Sequence, residues 1–163
     1  MECLYCTPEW LEECAKIYQE KPQYQEALKK LTIRIFYRVT AEPAWGIDRD
    51  FIFGADVTKG ALNELRYFNE DETKAKAEFV MAATPQEWKL ILRKDHKFLT
   101  DFMLGKIRLE QGSKVGALGL APYADTFINL LNEIPLKFQD ELSAQQLIEY
   151  REYASQFRSK LGI

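Results

Sequence analysis

Residues 78–112, EFVMAATPQEWKLILRKDHKFLTDFMLGKIRLEQG, carry the signals of a strand, two helices and a second strand, in that order. Apolar side chains alternate at the start of the stretch, as they do in a half-buried strand. Thr84, Pro85 and Glu87 then predict a helix start, because they supply an N-cap, a proline at the first helical position and the glutamate of a capping box. Gly105 is a residue type that commonly ends a helix, and a short strand follows it.

Three further strands are predicted upstream of this stretch. Apolar residues recur at every second position in residues 31–40, with Phe36 as the exception, and again in residues 51–57. Residues 61–70 fit a strand or a helix by period alone, and their place between strands favours a strand. Residues 69–73, NEDET, predict a solvated turn before the next strand.

Helices are predicted at both ends of the chain. Thr7 and Pro8 begin an N-terminal helix, and a short second helix follows Pro22. Residues 121–135 predict an apolar helix, and a capping box at Ser143 begins a C-terminal helix. The apolar stripe of that last helix consists of Leu147, Tyr150, Ala154, Phe157 and Leu161. This order of elements predicts an α+β fold in which helices cover one face of a sheet.

Composition and charge restrict the class of protein. The chain of 163 residues fits one domain, and 47% hydrophobic with 29% charged residues is a globular balance. The net charge is −3 and the basic residues are dispersed, so we expect no nucleic-acid partner. No apolar run approaches the roughly 20 residues of a membrane span, so we expect no integral membrane association. Residues 1–10 lack the pattern of a signal peptide, which predicts a cytoplasmic protein.

Few residues offer catalytic or metal-binding chemistry. His96 is the only histidine, and its place near a helix start favours a surface role over that of a catalytic base. Cys3 and Cys6 form a Cys-x-x-Cys pair, but the second close pair of a typical zinc site is missing. We interpret this region as a frayed chain start followed by a buried, helical Cys14. We expect no catalytic residue, no metal and no cofactor.

Large apolar residues are dense between positions 79 and 131. An ordinary hydrophobic core explains them, because aromatic and methionine side chains usually fill cores. The ordinary core is the default interpretation, and the alternative is a cavity that these residues line and that holds an apolar ligand. Composition does not separate these two interpretations.

The order of these segments resembles the sterol carrier protein 2 family. The resemblance covers about residues 31–134 and is strongest in residues 78–112, where a strand, a helix containing Trp88, a short helix and a strand follow one another. Four residues match the end of that short helix and the strand after it: Gly105, Lys106, Ile107 and Gly112. The N-terminal residues resemble the leading helical segment of bacterial or archaeal members.

The resemblance implies a five-stranded, mixed and mainly antiparallel sheet with helices packed on one face, in a single domain. Residues 1–30 form its N-terminal helical segment in this interpretation, residues 31–135 the sterol-carrier-like core, and residues 136–163 an extra C-terminal amphipathic helix. The resemblance also implies lipid binding or lipid transport in a hydrophobic cavity, without enzymatic activity, for a fatty acid, an acyl-CoA or a sterol-like molecule. The residues expected to contact the lipid are Phe79, Met81, Trp88, Phe98, Phe102, Met103, Ile107, Leu118, Phe127 and Leu130.

Two features depart from the family pattern and leave an alternative open. Residues 113–125 contain more glycine than expected, and the C-terminal helix extends beyond the usual end of the domain. The stripe of that helix predicts docking on its own domain or a homodimer with a second copy. The alternative is therefore a protein–protein interaction or regulatory module of the same fold, with a collapsed cavity.

Overall fold

The computed structural model describes residues 1–163 and contains a five-stranded and a two-stranded sheet. The strands are β1 (Cys3–Leu4), β2 (Ile33–Val39), β3 (Phe51–Thr58), β4 (Ala61–Tyr67), β5 (Phe79–Ala83), β6 (Arg108–Gln111) and β7 (Leu136–Lys137). The order across the larger sheet is β4-β3-β2-β5-β6, and only the β2–β5 pair is parallel. The predicted α+β fold with a mixed, mainly antiparallel five-stranded sheet is confirmed.

The structure contains eight α-helices. They are α1 (Pro8–Glu20), α2 (Pro22–Ala27), α3 (Glu70–Lys76), α4 (Pro85–Leu92), α5 (Phe98–Met103), α6 (Lys114–Leu118), α7 (Ala121–Leu131) and α8 (Ala144–Leu161). Short 3-10 helices lie at Pro43–Trp45 and Gln139–Glu141. None of the helices combines the length and the apolar character needed to cross a membrane.

Apolar side chains are buried on both faces of the central strand β2. Ile33, Ile35 and Val39 belong to the main core of 38 buried residues. Phe36 points to the opposite face, because successive side chains of a strand alternate. There it stacks on Phe68 with a ring separation of 4.1 Å, in a second, smaller core cluster. The exception to the alternating pattern thus marks a strand that is buried from both sides.

Residues 69–73, predicted as a solvated turn, begin helix α3, so that prediction was wrong. The Asn69 side chain accepts a hydrogen bond from the backbone N–H of Glu72 at 2.8 Å, and the Glu72 carboxylate accepts one from the backbone N–H of Asn69 at 3.2 Å. Three acidic residues in the first turn and two lysines near the end also match the helix dipole. The acidic run is therefore a helix start.

The expected frayed chain start was also wrong. Strand β1 pairs in parallel with β7, and the Tyr5 backbone N–H donates to the Lys137 carbonyl at 2.9 Å. Tyr5 and Cys6 are fully buried. A two-residue strand has no period that a sequence pattern could reveal, and its partner lies more than 130 positions away.

The C-terminal helix α8 packs on its own chain. Three members of its apolar stripe, Tyr150, Ala154 and Phe157, are buried. The Tyr150 hydroxyl donates to the Cys6 carbonyl at 2.9 Å, and the Phe157 ring stacks 5.7 Å from that of Phe51. Docking on its own domain is therefore what the structure shows, and a homodimer through this helix stays a prediction.

Candidate functional site

An apolar cavity of about 40 Å³ lies between the larger sheet and the helices that cover it. Strands β2, β3 and β5 supply its floor, and helices α4, α5 and α7 supply its roof. All 14 lining residues are hydrophobic or aromatic: Tyr5, Ile35, Tyr37, Phe53, Met81, Trp88, Ile91, Leu92, Phe98, Leu120, Ala124, Phe127, Ile128 and Leu131.

Strand pairing brings the floor of the cavity together. Tyr37 of β2 lies opposite Phe53 of β3 on one side and opposite Met81 of β5 on the other. Ile35 points to the same face as Tyr37, because it is two residues away along the strand. The floor is therefore a continuous apolar surface drawn from three neighbouring strands.

Trp88 holds helix α4 on this floor. Its indole N–H donates to the backbone carbonyl of Arg38 at 2.9 Å, and its ring meets that of Tyr37 edge-on at 5.6 Å. The only polar atom of the side chain is thereby satisfied, so the ring presents apolar surface to the cavity. Helix α4 is thus fixed to strand β2 by a hydrogen bond as well as by packing.

No charged side chain lines the cavity. Burial raises the pKa of the Tyr5 and Tyr37 phenols well above the usual range, so both are neutral at physiological pH. The Tyr5 hydroxyl is buried and has no hydrogen-bond partner. The site suits an uncharged, apolar group.

A surface groove of about 390 Å³ adjoins the cavity. This side groove is lined by Ile91, Lys94, His96, Lys97, Phe98, Leu99, Ala121, Ala124, Asp125 and Ile128. Four of these residues also line the cavity: Ile91, Phe98, Ala124 and Ile128. These four side chains therefore form the wall between the cavity and the groove.

The ten residues predicted to contact a lipid occupy four kinds of position. Those on the cavity are Met81, Trp88, Phe98 and Phe127. Three more are buried in the same core but do not reach the cavity, namely Phe102, Ile107 and Leu130. The side chains of Phe79 and Leu118 are half-buried against the core, and Met103 is 58% exposed. Lipid contact by these residues stays a prediction.

The remaining ten lining residues were not among those expected to contact the lipid. Tyr5 belongs to the segment that was expected to fray, and Phe53 comes from a strand far from residues 78–112 along the chain. The alternation in residues 31–40 did place Ile35 and Tyr37 on one face of a strand. That signal does not identify which part of the face meets α4 and α7.

His96 is more enclosed than the surface role predicted for it. Its side chain is 33% exposed, and its Nδ1 atom lies 2.7 Å from a carboxylate oxygen of Asp101 and 3.4 Å from one of Glu87.

The predicted capping box of α4 is only half formed. Thr84 accepts a hydrogen bond from the Glu87 backbone N–H at 3.1 Å, whereas the Glu87 carboxylate faces His96.

No protein-family model and no curated protein sequence matches the chain. A crystal structure of sterol carrier protein 2 is similar to it, with a TM-score of 0.64 and 23% identity, over 78% of this chain and 97% of that one. A conserved hypothetical protein from Thermus thermophilus, described as a candidate sterol carrier protein, has a TM-score of 0.66 and 22% identity, over 80% and 90% of the two chains. Sterol carrier protein 2 from Yarrowia lipolytica, in its apo form, has a TM-score of 0.53 and 12% identity, over 77% and 89%.

Proposed function

We propose that this chain, which has the fold of sterol carrier protein 2, binds the apolar part of a lipid in its internal cavity. The ligand is a fatty acid, an acyl-CoA or a sterol-like molecule. The protein carries out no reaction on this ligand, and it transfers the lipid or presents it to another protein.

One observation carries this proposal: the shared wall between the cavity and the side groove. The lining of this cavity contains no charged residue. It is therefore suited to burying the apolar surface of a ligand, an interaction that requires no particular orientation. The wall consists of Phe98 from one helix and Ala124 and Ile128 from another, together with Ile91. A lipid chain that separates α5 from α7 at this wall passes directly from the groove into the cavity.

The cavity must expand to accept a ligand. Ligand sites usually have volumes of about 300–1,000 Å³, whereas this cavity has about 40 Å³. Burial of each methylene group contributes about 0.8 kcal/mol, so ten methylenes contribute about 8 kcal/mol toward opening the helices and immobilising the ligand. A long acyl chain can therefore drive the expansion, and a short one cannot.

The groove also supplies cations for the polar end of such a lipid. Lys97 lines the groove and takes part in no ion pair, and Lys94 donates to the Asn129 side chain at 2.7 Å. An ammonium group at the entrance favours a carboxylate or a phosphate over a neutral head group. Among the three ligand classes, the fatty acid and the acyl-CoA fit this entrance best.

A substitution in the shared wall tests the route. Ile128→Trp adds volume where the groove meets the cavity, and overpacking of this kind costs about 1–3 kcal/mol. We expect the dissociation constant for a fluorescent fatty acid to rise by about tenfold or more, since 1.4 kcal/mol is a factor of ten. Ile148→Trp is the matched control, because Ile148 lies on α8 and is 57% exposed.

The control must bind the fatty acid as the unmodified protein does. Equal affinity of the Ile128→Trp variant, with its fold intact by circular dichroism, contradicts entry at this wall. If the delipidated, unmodified protein takes up no fatty acid, acyl-CoA or sterol at all, the lipid-binding function itself is wrong.

The small volume of the cavity favours one second candidate, an interaction or regulatory module with a collapsed cavity. This candidate predicts no uptake of lipid and no response to substitutions at Ile128. It predicts instead that surface substitutions on α8, such as Ile148→Trp, weaken binding of a partner protein. The pair of variants described above therefore distinguishes the two functions.

A further inference from the structure

Three ionisable side chains meet beside the side groove, outside the cavity. Glu87 belongs to the first turn of α4, Asp101 belongs to α5, and His96 lies in the connection between these helices. His96 Nδ1 is 2.7 Å from Asp101 Oδ2 and 3.4 Å from Glu87 Oε1. One nitrogen or oxygen atom from each residue lies within 4.8 Å of those of the other two.

The cluster contains more negative charge than its surroundings neutralise. The Glu87 and Asp101 side chains are 11% and 4% exposed, and each has His96 as its only ion-pair partner. A protonated imidazole balances one carboxylate and leaves the other without a counter-charge. Lys94 and Lys97, in the same connection, form no ion pair with either carboxylate. Buried carboxylates are stable when they are paired, protonated or bound to a metal.

We propose that Glu87, His96 and Asp101 bind a divalent metal ion, with Zn²⁺ as the best match. One imidazole nitrogen and two carboxylate oxygens are ligands that zinc commonly takes, and three protein ligands leave a fourth position for water. The two positive charges of the ion balance both carboxylates.

The separations of the His96 nitrogen from the two carboxylates are close to those that such an ion requires. Ligand atoms held 2.0–2.2 Å from a tetrahedral zinc ion lie roughly 3.3–3.6 Å from one another. The His96–Glu87 pair already has this separation at 3.4 Å. The His96–Asp101 pair, at 2.7 Å, lengthens slightly as the imidazole Nδ1 gives up any proton it shares with Asp101. His96 also lines the side groove, which gives the ion a path from solvent.

Bound metal would join α4 to α5 next to the cavity. Phe98 lies at the start of α5 and belongs to the wall between the groove and the cavity. A metal ion on Glu87 and Asp101 therefore restrains this wall. That consequence rests on the proposed lipid-binding function, whereas metal binding itself does not.

The test uses the histidine ring as a reporter. His96 is the only histidine of the chain, so its ring nitrogen signals are identified without an assignment in ¹⁵N-labelled protein. We expect one equivalent of Zn²⁺ to shift the Nδ1 signal saturably, and Mg²⁺, which prefers oxygen ligands, to leave it unchanged. An Nδ1 signal that Zn²⁺ does not move overturns the proposal.

Isosteric variants identify the ligands. We expect Glu87→Gln and Asp101→Asn each to weaken Zn²⁺ binding by about tenfold or more in calorimetry. Asp95→Asn is the matched control and should bind as the unmodified chain does, because Asp95 is an exposed carboxylate of the same connection. If both ligand variants keep full affinity, the metal binds elsewhere and the proposal fails.

The cysteines are the obvious competing ligands, and the structure makes them poor ones. Burial raises the pKa of the Cys14 thiol to about 12 and also raises that of Cys3 and Cys6. Thiols must lose a proton to bind zinc. Substitution of Co²⁺ for Zn²⁺ separates the two cases, since thiolate ligation gives an intense near-ultraviolet band. The proposal predicts that this band is absent, and its presence contradicts the proposal.

Discussion

At the scale of single residues, Gly54 shows how closely the two faces of the sheet are packed. It lies opposite Phe36 in the register of β2 and β3, and a Cβ atom at position 54 would come within 2.3 Å of the Phe36 ring. Real Cβ atoms do not approach another atom this closely. Glycine is therefore required because of the neighbouring ring, although its own backbone is ordinary extended strand.

This contact gives a stability prediction. Gly54→Ala should lower the free energy of unfolding by about 1–3 kcal/mol, because the added methyl group overpacks the small core cluster. The measurement is urea unfolding. The clash is smaller in the double variant Gly54→Ala/Phe36→Leu. Its loss of unfolding free energy should therefore be smaller than the sum of the losses in the two single variants. Simple additivity would contradict the account.

At the scale of elements, a carboxylate after α7 ties the N-terminal helices to the rest of the protein. Glu133 accepts hydrogen bonds from the Lys21 ammonium group, at 2.8 Å, and from the Tyr24 hydroxyl. Lys21 lies between α1 and α2, and Tyr24 belongs to α2. The hydrogen bond from Lys21, followed by that from Tyr24, lowers the pKa of the Glu133 carboxyl.

A lowered pKa in the folded state predicts a pH-dependent contribution to stability. The contribution is present above the unfolded pKa of about 4.3 and is lost as the pH falls through the folded pKa. Glu133→Gln should therefore cost about 1 kcal/mol at neutral pH and less than that at pH 3. Urea unfolding at both pH values measures this cost, with Glu20→Gln, an exposed residue of α1, as control. An equal cost at both pH values would contradict the prediction.

The sequence predicted those elements that have a clear period or a clear start. The alternation in β2 and the capping box at Ser143 are both present in the structure. Helix α3 was missed because acidic residues occur both in solvated turns and in the first turn of a helix. Strands β1 and β7 were missed because a two-residue pair depends on a distant partner. The Glu87 side chain was misassigned because His96 competes with the backbone for its carboxylate.

At the scale of the whole molecule, the fold could be predicted and the shape of the cavity could not. The order of elements in residues 78–112 was enough to identify the sterol carrier protein 2 fold, which solved structures of 12–23% identity share with this chain. Chains of such low identity can share a fold, because hydrophobic side chains of about the right size at the core positions are enough to specify it. The lining of a cavity depends on which side chains from distant segments meet, and only four of the ten predicted residues reach it.

The methionine methyl signals test the central claim, that a lipid occupies this cavity, most directly. The chain has three methionines: Met81 lines the cavity and is fully buried, whereas Met103 and Met1 are 58% and 82% exposed. In protein labelled with ¹³C at these methyl groups, added palmitate should shift the Met81 signal and leave that of Met1 unchanged. A Met81 signal that stays in place while native mass spectrometry shows bound palmitate would contradict the account.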